Sequence, residues 1–274
     1  KKIVYYQLNK LSNEMVNKAT IESFQEDGIA FIPGLFKPHV KSLRVGVQKN
    51  IDEPGPFAAE NLKEGEAGRF FDDYCNWQRI DEFRNVVFDK NVAETAAKLM
   101  QSKTVQMFHD HVLVKEAGTL KSTPWHTDGP YYFIKGMKTL SFWVPLDPVK
   151  KATLRMVARS HKWSKPVLPT RWLSNENFYP NANEYLPVPD PEKEQMDIRE
   201  FDMNPGDAVA FNFNILHGAR GATAGQRRRA FSLRLLGDDT RYTERPGPTS
   251  PPFPNHNMVE GQVLRTDWFP YIDF

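Results

Sequence analysis

From Thr104 onward the chain breaks into short β-rich runs separated by turns, and this spacing constrains the fold more than any other feature. The runs are Val105–Lys115, Thr139–Pro145, Leu154–Val157, Met196–Phe201, Ala208–Phe213 and Arg229–Leu236. The residues before them read as helical. Ser12 is placed to cap a helix on which Met15, Ala19, Ile21 and Phe24 share a face, and Asp27-Gly28 stops it. Ile29–Ile32 then reads as a strand ended by Pro33-Gly34. Further helices are predicted over Pro38 to about Asn50 and about Val92 to Met100. Strands at intervals after a helical lead-in predict a mainly β fold with flanking helices, a sandwich or barrel that buries one face against them.

No repeat or composition break marks a second unit, so the 274 residues are expected to form one domain. Its parts are a lead-in over about 1–103, a core over about 104–240 and a C-terminal arm over 241–274, with the proline-stiffened PGPTSPPFP at 246–254. Lys plus Arg (36) nearly balance Asp plus Glu (34), which gives no electrostatic reason to expect nucleic acid or an anionic membrane as partner. Cys75 is the one cysteine, so an intrachain disulfide and a thiolate cluster are both excluded. With no apolar run long enough for a membrane span, a cytoplasmic location is expected. Ser160–Glu194 is long and rich in Pro, Asn, Trp and Tyr, which fits either a functional lid or a wrap over a sheet face.

The stretch TPWHTDGPYY carries the chemistry. In extended backbone, residues two apart project to the same side, so His126 and Asp128 can reach one point. The best third ligand is His217, just past the alternating run that ends at Phe213 and immediately before Gly218. Two imidazoles and one carboxylate on one face of an octahedron leave three positions open, the arrangement of non-haem Fe(II) oxygenases. Eleven residues after His217, in QRRRAFSLRLLGDD, Arg228, Ala230 and Ser232 share one face of a strand. An arginine facing a barrel interior needs an anion, and its fork suits the far carboxylate of a dicarboxylic cosubstrate. The other arginines of that run read as a solvated basic edge.

These segments, in this order, resemble the phytanoyl-CoA dioxygenase family of Fe(II)- and 2-oxoglutarate-dependent oxygenases. The resemblance rests on FQEDGIAFIPGLF, HDHVLVKEAG, TPWHTDGPYY, LSFWVPLDPV, LRMVARSHKW, MNPGDAVAFNFNILHGA and RRRAFSLR together. It implies a double-stranded β-helix, or jelly roll, with His126, Asp128 and His217 as iron ligands. It places Arg228 on the distal carboxylate of 2-oxoglutarate, and Trp143 and His111 at further cosubstrate positions. It also implies oxidative decarboxylation of the cosubstrate with O2 to succinate and CO2, coupled to attack on an unactivated C–H bond. Asp128 keeps the carboxylate that halogenating relatives lack, which implies a hydroxylase. One departure is Ala219, where the family often has a serine two residues after the distal histidine; Ser232 or Thr139 is available to replace it. His161 stands in a Ser-His turn and is expected to be a turn residue.

Tyr131, Tyr132 and Phe70 are candidates for the wall of a small-molecule substrate pocket. A CoA thioester would call for a basic entrance, for which Lys121, Lys135, Lys138, Lys150 and Lys151 are available. Two other readings of the residues stay open: a zinc hydrolase, because two His and an Asp also suit Zn²⁺, and a metal-binding jelly roll that binds a small molecule without turnover.

Overall fold

In the computed structural model, residues 16–150, 154–174, 176–180, 182–222 and 225–274 are described. The chain runs through α1 (Lys18–Asp27), β1 (Ile29–Ile32), α2 (Val40–Asp52), β2 (Ala59–Glu60), β3 (Phe70–Tyr74), α3 (Asp81–Val87) and α4 (Lys90–Met100). The core follows as β4 (Gln106–Lys115), β5 (Thr123–His126), β6 (Ile134–Lys135), β7 (Thr139–Pro145), β8 (Leu154–Val157), β9 (Ile198–Glu200), β10 (Ala208–Phe211), β11 (His217–Ala219), β12 (Arg228–Leu236) and β13 (Arg241–Tyr242). Asn17, whose side chain accepts from the Thr20 amide, caps α1 in place of the expected Ser12, which lies outside the described residues together with Met15. Gly28, at φ 74°, closes the same helix in the left-handed region.

Two sheets face each other. The larger has seven strands in the order β1-β10-β7-β12-β4-β3-β2, every neighbouring pair antiparallel. The smaller has the order β5-β11-β8-β9, and β13 pairs with β6 as a separate ribbon. Nearest neighbours in space are distant in sequence, as in β7-β12-β4, which is how a jelly roll closes two sheets over one cavity.

Period-two alternation sorts the side chains of the large sheet. On β12, Phe231, Leu233 and Leu235 point to the helices and pack with Phe83, Val86, Leu43 and Val47, while Arg228, Ala230, Ser232 and Arg234 face the interior. On β4, Val112 and Val114 join the helical core, and His109, His111, Leu113 and Lys115 face inward. Phe231 is fully buried, so Phe231→Ala would cost about 3–5 kcal/mol through lost transfer energy and a cavity. Strands buried on both faces explain why these runs read as β from sequence.

The C-terminal arm braces this core. Phe253 and Phe269 pack against Phe108 and Phe133, the Gln106 amide donates to the Leu264 and Phe269 carbonyls, and the Ile272 amide donates to the Val105 carbonyl. Among the described residues, no helix is long and apolar enough to cross a membrane.

Candidate active site

β5 and β11 are adjacent antiparallel strands, and their register sets His217 directly opposite His126. The ring centroids are 4.2 Å apart. His217 therefore sits on a short strand of its own, β11, past the turn that ends β10. Asp128 follows β5 at the start of the turn Gly129–Tyr131 and turns its Oδ1 towards both imidazoles, 3.6 Å from His126 Nε2 and 3.7 Å from His217 Nε2. One ligand atom from each residue lies within 4.8 Å of the others, and all three side chains are buried.

The surroundings fix which atoms face inward. His126 Nδ1 donates to the Pro124 carbonyl and His217 Nδ1 to the Ile215 carbonyl, each at 2.8 Å, which leaves both Nε2 lone pairs for a metal. Asp128 Oδ2 accepts from Ser141 Oγ and Arg234 Nη2, both at 3.3 Å, so Oδ1 is the free corner. Arg234 is itself held by donation from Nε to the Tyr132 hydroxyl at 2.7 Å. Burial alone would raise the Asp128 carboxyl; the Arg234 guanidinium and the two imidazoles reverse this and hold it well below the usual carboxylate range. Burial, reinforced by His126, pushes His217 down to about 3. A carboxylate beside the neutral His217 imidazole suits a divalent cation. The donor set and its orientation fit Fe(II).

A cavity of about 370 Å³ opens from this triad between the two sheets. Arg228 and Trp143 both line it, Trp143 being paired across the sheet with Ser232. Arg228 is buried, which lowers its guanidinium to about 10 and leaves it charged at neutral pH; Nη2 donates to the Arg220 carbonyl at 3.1 Å. Lys115 stands opposite Arg228 in the register, with Nζ donating to the Lys121 carbonyl (2.8 Å) and Thr123 Oγ1 (3.1 Å). Burial and then Arg228 lower the Lys115 amine to about 6. His111, Tyr131 and Tyr132 also line the cavity.

Other expected positions fall elsewhere. Phe70 lies outside the cavity lining; it is buried beneath Lys115, whose Nζ sits 4.3 Å from the ring centroid, and stacks on Trp172. Thr139 Oγ1 accepts from the Phe213 amide away from the cavity, while Ser232 lines the cavity and donates to the Phe142 carbonyl. Ala219 is paired with Thr123, so a hydroxyl stands on the neighbouring strand at that level. His161 is in the turn Ser160–Lys162. Lys121, Lys135 and Lys138 are in ion pairs with Glu66, Glu260 and Asp238, and Lys151 lies outside the described residues. Residues Thr170–Ser174 and Phe178 of the 160–194 segment do reach the cavity, with Trp172 edge-on to His126 at 5.0 Å between centroids.

Sequence reasoning missed Arg234, Lys115, Thr123, His109 and Asp72. The alternation that picked out Arg228, Ala230 and Ser232 reaches Arg234 one step further along. The same alternation carried through HDHVLVK gives His109, His111 and Lys115.

The comparisons with known proteins agree with this geometry. The Phytanoyl-CoA dioxygenase (PhyH) family model matches residues 24–230. No curated protein sequence matches the chain significantly. Among solved structures, the non-haem α-ketoglutarate-dependent carbocyclase SnoK of nogalamycin biosynthesis is 20% identical, with a TM-score of 0.71 over 94% of this chain and 97% of its own. The epimerase SnoN, solved with Fe³⁺, α-ketoglutarate and nogalamycin RO, gives 18% and 0.72 over 93% and 97%. EctD from S. alaskensis, solved with 2-oxoglutarate and 5-hydroxyectoine, gives 17% and 0.68 over 92% and 87%. With the family model spanning most of the chain and a buried His-Asp-His triad lining a jelly-roll cavity, the chain belongs to the phytanoyl-CoA dioxygenase family of Fe(II)- and 2-oxoglutarate-dependent oxygenases.

Proposed function

We propose that this protein hydroxylates an unactivated C–H bond of a small organic molecule, with release of succinate and CO2. The observation that carries this reading is that Asp128 Oδ1 faces both histidine Nε2 atoms in the cavity that Arg228 also lines. Bound iron with 2-oxoglutarate would supply the activation of dioxygen. The chain's own residues do the rest. His126, Asp128 and His217 would hold the metal, and Arg234 with Ser141 keeps the carboxylate turned to it. Arg228 would grip the distal carboxylate of the cosubstrate as a charge-assisted pair, with Trp143 beside it. The Thr170–Ser174 wall, tied to Tyr131, would exclude water from the reacting atoms.

Retention of Asp128 favours hydroxylation over halogenation, because no coordination position is vacated for a halide. The relatives include a carbocyclase and an epimerase, so the same site supports several outcomes after hydrogen abstraction, and hydroxylation is the simplest of them. The packing of the C-terminal arm against Phe108 and Phe133 supports a single catalytic unit over 1–274.

The test is an anaerobic titration of the metal-free protein with Fe(II) and then 2-oxoglutarate. A visible charge-transfer band that needs both additions, weakened in Asp128→Ala and Arg228→Ala, is expected. A folded protein that shows no band and binds Zn²⁺ tightly would sink the reading in favour of a hydrolase or a binder. Succinate release with candidate substrates then separates turnover from binding alone.

A further inference from the structure

We propose that His109, His111 and Asp72 form the hydrogen-bond-accepting wall of the primary-substrate site, and that it selects a neutral, hydroxyl-bearing ring. The inference rests on the oxygenase reading above and assigns His111 to the substrate instead of the cosubstrate.

A buried relay stands on this wall. Asn61 Nδ2 donates to Asp72 Oδ1, and His111 Nε2 donates to Asp72 Oδ2 at 2.8 Å. Burial keeps the His111 ring neutral even beside this carboxylate. A neutral imidazole that donates from Nε2 has Nδ1 as its acceptor. His109 repeats the pattern one step along the same face of β4. Its Nδ1 donates to the Asp110 carbonyl at 3.2 Å, and its buried Nε2 has no hydrogen-bond partner among the described residues. Arg234, the register partner of His109 on β12, likewise has a buried Nη1 with no hydrogen-bond partner among the described residues, and a hydroxyl seated here would donate to the imidazole and accept from the guanidinium, relieving about 1–3 kcal/mol for each unmet group.

The same bonds define the donor. Asp72 has each oxygen already engaged, and Asp128 is turned to the metal corner and Arg234. Arg234, opposite His109 in the register, sets a guanidinium on this wall that disfavours an ammonium, and the imidazoles are left as its neutral acceptors. A hydroxyl fits them. Tyr74 lies edge-on to both rings, at 5.1 Å from His111 and 6.0 Å from His109, and with Trp172 and Phe178 gives the cavity aromatic surface for the apolar faces of a ring.

The probes are cyclohexanol, its methyl ether methoxycyclohexane, and cyclohexylammonium. Their affinities would be read by ligand-observed NMR on protein loaded with Zn²⁺ and 2-oxoglutarate. Cyclohexanol should bind about three- to tenfold tighter than the ether, the worth of one hydrogen bond, and tighter than the ammonium. Asp72→Asn is the decisive variant. Asn61 would still donate to the carbonyl oxygen of the new amide, so its NH2 would face His111 Nε2 and switch the imidazole tautomer. Nδ1 would then donate, and the alcohol's advantage should fall below about twofold. His109→Phe, which keeps a ring against Tyr74, should independently reduce the advantage.

Equal binding of alcohol and ether by the wild type, no measurable alcohol binding, or an advantage that survives both substitutions would overturn the proposal. So would a rise of about tenfold or more in the 2-oxoglutarate Kd of Asp72→Asn, read from the charge-transfer band, since that would place the relay on the cosubstrate. Absence of the band in the wild type is a separate result and removes the oxygenase reading itself.

Discussion

The cavity has two kinds of wall. One is the inner face of the large sheet, where β4, β7 and β12 hold His111, Trp143, Ser232, Arg228 and Arg234 in a fixed register. The other comes from the 160–194 segment, which reaches the cavity through Thr170–Ser174 and Phe178 and is held by isolated bridges, Val167 to Leu186 and Thr170 to Asn177, and turn hydrogen bonds such as Phe178 N–H to the Pro169 carbonyl. Besides the ring contact of Trp172 with His126, it is tied to the metal motif by the Tyr131 hydroxyl, which donates to the Thr170 carbonyl (2.6 Å) and accepts from the Thr170 amide (2.9 Å). The difference teaches where precision is needed. Groups that must meet a metal within tenths of an ångström stand on strands, and the surface that meets a variable substrate stands on a loop.

The largest effect expected on the sheet wall comes from Asp128→Ala. It removes a metal ligand and leaves Arg234 buried without its carboxylate, so Fe(II) affinity should fall at least about a hundredfold, and the fold should lose about 3–5 kcal/mol in urea titration. A mild result would mean that the strand-borne network is no more demanding than the loop. Arg228→Gln should weaken 2-oxoglutarate about tenfold to a hundredfold while leaving Fe(II) affinity unchanged, measured by anaerobic titration.

Lys115 sharpens the contrast through pH. Its amine is lowered to about 6 in the folded protein, against about 10.4 in an unfolded chain. The unfolded chain binds more protons between those values, so stability rises with pH across the window. Lys115→Met should raise the Tm by several degrees at or below about pH 6, and this gain should shrink as the pH rises towards about 10. A gain independent of pH would show that packing, not the buried charge, sets the effect. The smallest effect belongs to the loop. Tyr131→Phe should cost about 1 kcal/mol and raise amide hydrogen exchange around Thr170, with little change in β4 or β12.

Legibility in the sequence followed the same division. The strands buried on both faces, β7 and β8, stand where their apolar runs predicted them, and β4, β10 and β12 within two residues. His126, Asp128 and His217 were legible because each stands in a distinctive local setting. β3 was not. In FFDDY, Asp72 faces the cavity and bonds His111, whereas Asp73 points the other way and accepts from Asn50 and the Gly55 amide. With a buried acid on each face, no alternation remains to read. β11 was missed because three residues carry no periodicity; it is a strand only because β5 and β8 flank it. The opposition of Lys115 and Arg228, and of Thr123 and Ala219, depends on which strands become neighbours, and local pattern cannot supply that.

Arg245, in the C-terminal arm, donates to the carbonyls of Tyr132 (2.6 Å), Gly129 (3.1 Å) and Ile134 (2.9 Å). Those carbonyls belong to the turn and short strand that directly follow Asp128. During synthesis, the HTD motif leaves the ribosome more than a hundred residues before the guanidinium that pins its turn, and His217 and Arg234 also emerge late. The turn that presents Asp128 is thus completed only once Arg245 has emerged, and a nascent chain that stops short of it holds a half-built site.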